Sequence, residues 1–157
     1  MKKLLIVLVA IAFLSTVAYA ASTDTQTVYY EIDAINELVM DADFTLTVNS
    51  AIAGSEPMVT AWWKYYAITT NDTGKKITAA INANMPDNTE LKVKLWSPGS
   101  STEGLKILTT TAQDMAGGIE AVVDSSVGYI VSLTATVAAG LPADSSRAIT
   151  FTLCDES

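Results

Sequence analysis

Hydrophobic side chains recur at every second position through most of this chain, the period at which a β-strand shows one face to a core. Val28, Tyr30, Ile32 and Ala34 share one face of a first predicted strand, with Tyr29, Glu31 and Asp33 on the other. Phe44, Leu46 and Val48 alternate with Thr45 and Thr47 in a second, and Ile77, Ala79 and Ile81 form another. Leu91, Val93 and Leu95 alternate with Lys92 and Lys94 in one of the clearest half-buried patterns. Tyr129, Val131, Leu133, Ala135 and Val137 alternate with Ser and Thr, and Ile149, Phe151 and Leu153 close the series.

Three stretches depart from simple alternation. Residues 58–70 predict a strand broken near Lys64, because the aromatics there change phase. Leu105 to Thr110 predicts a strand with Lys106 outward. Thr111 to Gly118 predicts a single helical turn ended by Gly117-Gly118, followed by a short edge strand from Ile119 to Val123.

Reversal signals separate these runs: Ala53-Gly54-Ser55-Glu56-Pro57, Asn71-Asp72-Thr73-Gly74, Met85-Pro86-Asp87-Asn88, Ser97-Pro98-Gly99-Ser100 and Gly140-Leu141-Pro142. Each supplies Gly, Pro or Asx where a turn needs it. Seven to nine short strands without a 10–15-residue helical period predict an all-β fold, a single immunoglobulin-like antiparallel β-sandwich. No internal repeat or linker divides it.

The first twenty residues follow a different rule. Lys2 and Lys3 precede an unbroken apolar run from Leu4 to Leu14, and Ala18-Tyr19-Ala20 places small residues at the positions signal peptidase reads. Residues 1–20 therefore read as a cleaved signal helix, with residues 21–157 as the exported domain. A retained membrane anchor is the rival reading, since apolar character continues to Ala21. No acid lies between Leu4 and Ala21, which argues against a type IV pilin leader, and the segment has no lipobox cysteine.

Cleavage leaves 137 residues, a usual size for one domain with its own core. The leader takes two of the nine basic residues and none of the 17 acids, so the mature net charge falls to −10. Nothing provides a basic footprint for nucleic acid, and an anionic membrane surface would repel such a chain. Threonine fills 19 of the mature positions, alongside abundant Val and Ile, the makeup of exposed sheet.

Chemistry is constrained by what is missing. Histidine is absent, which removes the commonest general base, the Ser-His and Cys-His pairs and nearly every zinc site. Paired carboxylates alone would support glycoside hydrolysis, but the domain is small for such an enzyme. The expectation is a protein that is not an enzyme, with no catalytic residues, cofactor or metal. Cys154 is the single cysteine, so no intrachain disulfide can form.

Candidate binding features remain. Trp62, Trp63, Tyr65 and Tyr66 flank Lys64 in one strand, where neighbours point to opposite faces. Exposed Trp and Tyr on a sheet can stack on sugar rings, so this is the candidate ligand face. Its bland reading is core on one side and a covered surface on the other. Asp33, Glu37, Asp41 and Asp43 could gather oxygens for Ca²⁺, yet they match no calcium-loop spacing and read first as solvated turns. Asn71-Asp72-Thr73 is an N-glycosylation triplet.

Residues 21–27 (ASTDTQT) are polar and lead directly into the alternating run Val28 to Ala34. A terminal strand on such a lead can pair at home or leave to complete a neighbour's sheet. Val28, Tyr30, Ile32 and Ala34 are therefore the candidate assembly strand.

Two stretches carry a resemblance. They are Ala67-Ile68-Thr69-Thr70-Asn71 running into Gly74-Lys75-Lys76-Ile77-Thr78-Ala79-Ala80, and Ser132-Leu133-Thr134-Ala135-Thr136-Val137 before Arg147-Ala148-Ile149-Thr150-Phe151-Thr152-Leu153. The chain resembles an uncharacterised group of small exported prokaryotic β-sandwich proteins. In architecture it is similar to subunits of donor-strand extracellular filaments, fimbrial or TasA-like, although the lone Cys154 departs from fimbrial subunits that carry a disulfide. That resemblance implies an extracellular structural subunit whose partners are copies of itself. The alternative expectation is an extracellular carbohydrate- or adhesion-type binding module facing polysaccharide.

Overall fold

The computed structural model describes residues 23–140 and 146–156, apart from the side chains of residues 60–63. The predicted signal helix and part of the Gly140-Leu141-Pro142 turn lie outside the described residues. All strands fall in one compact unit, Asp33–Ser157, while residues 23–32 belong to a separate unit.

The strands are β1 (Asn36–Met40), β2 (Met58–Thr70), β3 (Lys75–Ile81), β4 (Thr89–Leu95), β5 (Ser101–Thr102), β6 (Lys106–Ile107), β7 (Gln113–Ile119), β8 (Val122–Ala135) and β9 (Ile149–Asp155). One sheet has the order β1-β2-β8-β4-β6 and the other β5-β7-β3-β9, with every pairing antiparallel. The two sheets pack face to face as a β-sandwich. Among the described residues the only helical piece is a 3-10 turn, Val137–Ala139.

Alternation becomes burial where a strand has partners on both sides. Ile77, Ala79 and Ile81 of β3 meet Leu91, Val93 and Leu95 of β4 in one core, joined by Tyr66, Ile68, Tyr129 and Val131. Fully burying each large apolar side chain contributes about 1.5–3 kcal/mol, so this layer carries the fold without a disulfide. Tyr129 and Phe151 meet edge-to-face across the sheets, with centroids 6.0 Å apart. Gly74, at φ +63°, supplies the left-handed residue on which the Asn71–Gly74 turn closes.

Several expectations need correction. Val28 to Ala34 forms no strand; the first strand is Asn36–Met40. Phe44 to Val48 is not a strand either, although Phe44 and Leu46 pack against the core. Its side chains found a core, but its backbone found no ladder partner. Thr111 to Gly118 holds no helical turn, because Gln113–Ile119 pairs with β3. Register shifts in that pairing accompany burial of the consecutive residues Met115 and Ala116, which masks the period of two. Ile119 to Val123 is no separate edge strand but the end of β7 and the start of β8. The Leu105–Thr110 strand shrinks to two residues, with Leu105 and Ile107 exposed. Lys106 is half-buried and donates to the Asp114 carbonyl at 2.7 Å. Val137 lies past the end of β8, in the 3-10 turn.

The strand over residues 58–70 is not broken near Lys64 but runs continuously, with irregular pairing where its aromatics change phase. The β2–β8 register shifts between Ala61 and Lys64, and again between Tyr66 and Ile68.

Candidate functional site

The two flanks of the sandwich differ. On one, the chain crosses between sheets through β5 and β6 and seals the gap with backbone bonds. Glu103 N–H donates to the Met115 carbonyl, Leu108 N–H to Leu91 and Ile81 N–H to Thr109. Leu108 is buried there.

On the other flank, β1 ends one sheet and β9 ends the other, and the two strands approach each other. Asn82 N–H donates to Ala148 and Glu156 N–H to Gly74, which sets the phase of the β3–β9 ladder. Thr150, Thr152 and Cys154 therefore face β3 with their backbone groups, while Ile149, Phe151 and Leu153 face away. Among the described residues nothing pairs with that outer edge. The side chains of Ile149, Phe151 and Leu153 point into the sandwich yet are only half-buried. On β1 the same reasoning turns the backbone of Asn36, Leu38 and Met40 outward. Among the described residues this flank presents two unpaired edges over an incompletely covered core.

The candidate assembly residues lie just ahead of β1. Val28, Tyr30 and Ile32 are 73%, 86% and 74% exposed, an unusual state for three apolar residues in alternation. Ala34 is also exposed. Its neighbours are tied down: Asn71 Nδ2 donates to the Asp33 carbonyl at 2.9 Å, and Ile35 N–H donates to Asn71 Oδ1 at 2.7 Å. Asn71 N–H also donates to the Ile35 carbonyl at 3.2 Å. Ala34 is thus part of the root of the exposed run.

The aromatic ligand face is not a single face. Tyr66 is 1% exposed and belongs to the core, with its hydroxyl donating to the Trp96 carbonyl at 2.6 Å. Burial, then the charge of Asp124, raises its pKa above the ordinary tyrosine value. Tyr66 is thereby removed from any ligand surface. Tyr65 is exposed and lines a depression of about 120 Å³ with Val39, Asp41 and Ser125. That is well below the few hundred Å³ of a typical small-molecule pocket. Trp62 and Trp63 sit on the β2 backbone, and their side chains lie outside the described residues. Trp96, which the pattern did not single out, is partly exposed and carries the Lys94 ammonium 4.8 Å from its ring centroid.

The acids do not converge. Asp41 closes β1 with a two-bond clip, its N–H donating to the Tyr65 carbonyl and its Oδ2 accepting from Tyr65 N–H. Among the described residues no group of acids and cysteine is placed to hold a metal ion. Asp72 and Asp155 instead pair with the buried Lys75, which pulls the Asp72 carboxyl below its usual range. Cys154 is half-buried on β9, on the side away from the core.

Comparison with known proteins adds no family: no protein-family model matches the chain, and no curated protein matches it in sequence. What remains to explain is the open flank of the sandwich and the exposed apolar run that precedes β1 in sequence.

Proposed function

We propose that the protein is an exported structural subunit that assembles with copies of itself into an extracellular fibre or matrix by β-strand addition. The observation that carries this reading is the run Val28 to Ile32, apolar at every second residue, exposed, and without a strand in its own chain. Such a segment gains both core burial and backbone partners only by joining a sheet. A sandwich with one unsealed flank is the matching receptor.

Other features support the same reading. The leader-like residues 1–20 point to export, the chain has no histidine, and the threonine-rich strands suit a water-facing sheet. The likeness to small exported β-sandwich proteins and to donor-strand filament subunits agrees with this. In this reading the protein works by contact rather than turnover, and needs neither cofactor nor nucleic acid. It leaves the membrane once its leader is removed.

The test is to secrete the full chain and a version lacking residues 21–31, then image both by negative-stain electron microscopy. Fibres from the full chain alone are expected. A full chain that stays monomeric at high concentration, or fibres unaffected by the deletion, would overturn the proposal. Glycan binding abolished by Trp63→Ala would instead favour the binding-module reading.

A further inference from the structure

We infer that the acceptor for the arm of residues 28–32 is the outer edge of β9 in a second copy, and not the edge of β1. The inference rests on the fibre reading above and goes further by naming the contact.

Four edges are available, and three are poor acceptors. β5 and β6 are two residues long, and their crossover is already bonded to the core strands. β1 offers five residues but carries Glu37 and runs into Asp41 and Asp43. The arm carries Glu31 and follows Asp24, so β1 would repel it. β9 offers seven residues, Ile-Thr-Phe-Thr-Leu-Cys-Asp, with no charge before Asp155 and no proline or lysine to block pairing. Asp155 is already paired with Lys75, and Lys76 lies opposite Cys154 on β3. Lys75 also pairs with Asp72 and Lys76 with Asp114, so these charges are matched and the β9 edge itself stays uncharged up to Leu153 and Cys154.

Side-chain phase fits as well. The outward backbone groups of β9 belong to Ile149, Phe151 and Leu153, whose side chains are half-buried toward the core. A strand hydrogen-bonded there with Val28, Tyr30 and Ile32 turned inward covers that remaining apolar surface. Tyr29 and Glu31 then lie on the outer face, the face that carries Cys154. Cys154 has its backbone turned toward β3, so with the arm antiparallel to β9 its new neighbour occupies a non-hydrogen-bonded pair. Those pairs bring the two Cα atoms to about 4.5 Å, within disulfide reach.

Cys154 is the single cysteine of the chain, which makes it a built-in probe. Chains carrying Tyr29→Cys or Glu31→Cys together with Cys154→Ser are mixed with affinity-tagged chains of native sequence. The mixture is allowed to assemble and is oxidised mildly. Non-reducing gels should show a mixed-size dimer for at least one arm position, lost on reduction and absent when both chains carry Cys154→Ser. Fibres by microscopy without any mixed dimer would overturn the β9 assignment and leave the fibre reading standing. Absence of fibres would sink both. In a chain that keeps Cys154 and carries the arm cysteine, a disulfide confined to monomers would also overturn the inference, because the arm would then pair at home. Leu153→Pro supplies a second test, since it removes an outward N–H and spares those facing β3. It should leave a folded monomer by circular dichroism and abolish fibres; a folded Leu153→Pro chain that still assembles would count against β9.

Discussion

The carboxamide nitrogen of Asn71 donates to the main-chain carbonyl of Asp33 at 2.9 Å, across 38 residues of sequence. The same side chain accepts from Ile35 N–H at 2.7 Å, so one turn residue fastens both sides of Ala34. An asparagine that reads as a glycosylation triplet is thus also the fastening of the arm's root. Asn71→Ala removes both contacts while leaving the turn backbone intact. With each such bond worth about 0.5–1.5 kcal/mol net, the loss should be about 1–2 kcal/mol, a fall of several degrees in Tm. Hydrogen exchange read residue by residue should show the Ile35 amide losing protection first, before those of β2.

Sequence pattern predicts this fold best where strands are flanked on both sides. β3 and β4 alternate cleanly because each buries one face against the opposite sheet. The phase change near Lys64 marks a register shift within a continuous strand and not the end of one. Edges and bulges were not legible in the same way. Val28 to Ala34 carries a strand's alternation without a strand's partner, since hydrogen-bond pairing is a property of neighbours and not of the segment. β7 hides its pairing behind Gly117-Gly118 and a bulge, and Asn36–Met40 is a strand with almost no period of two. Tyr66 could not be told from Tyr65 until the faces of β2 were assigned.

Two core tyrosines make stability sensitive to alkaline pH. Burial, assisted by the charge of Asp41, pushes Tyr129 up to about 12, from an ordinary value of 10.0. Tyr66 is raised as well, by burial first and then by Asp124. Above pH 10 the unfolded chain gives up these protons while the folded one keeps them, so the folded state binds more protons and its stability falls as pH rises. The contribution is fully present below pH 10 and declines between about pH 10 and 12 for Tyr129. Urea midpoints measured across that window should drop steadily. Tyr129→Phe should flatten part of the slope and change little at pH 7.

Gly99 sits where a turn touches the end of β7. A Cβ added there would lie 2.1 Å from the Gly118 carbonyl oxygen and 2.6 Å from its carbon, both main-chain atoms that cannot swing aside. Gly99→Ala must separate the Ser97–Ser100 turn from the end of β7, disturbing the bond from Ser97 Oγ to the Gly117 carbonyl. Overpacking of this kind costs about 1–3 kcal/mol. Gly104→Ala, where a Cβ meets nothing within 4 Å, is the matched control. Differential scanning calorimetry should show a clear fall in Tm for the first and almost none for the second.

Phe151 distinguishes a finished core from one awaiting cover. Leu95 is fully buried, and Leu95→Ala should cost the soluble monomer about 3–4 kcal/mol. Phe151 touches Tyr129 edge-to-face but is only partly buried, on an edge strand that nothing among the described residues pairs with on its outer side. Phe151→Ala should therefore cost the monomer only about half as much, despite the larger side chain removed. Once a strand lies along β9, the ring gains the burial it lacks, so the same substitution should weaken assembled material more than monomer. Urea titration of monomer and of fibres for both variants reads this directly. Equal losses for Phe151→Ala in the two states would mean that assembly leaves this flank uncovered.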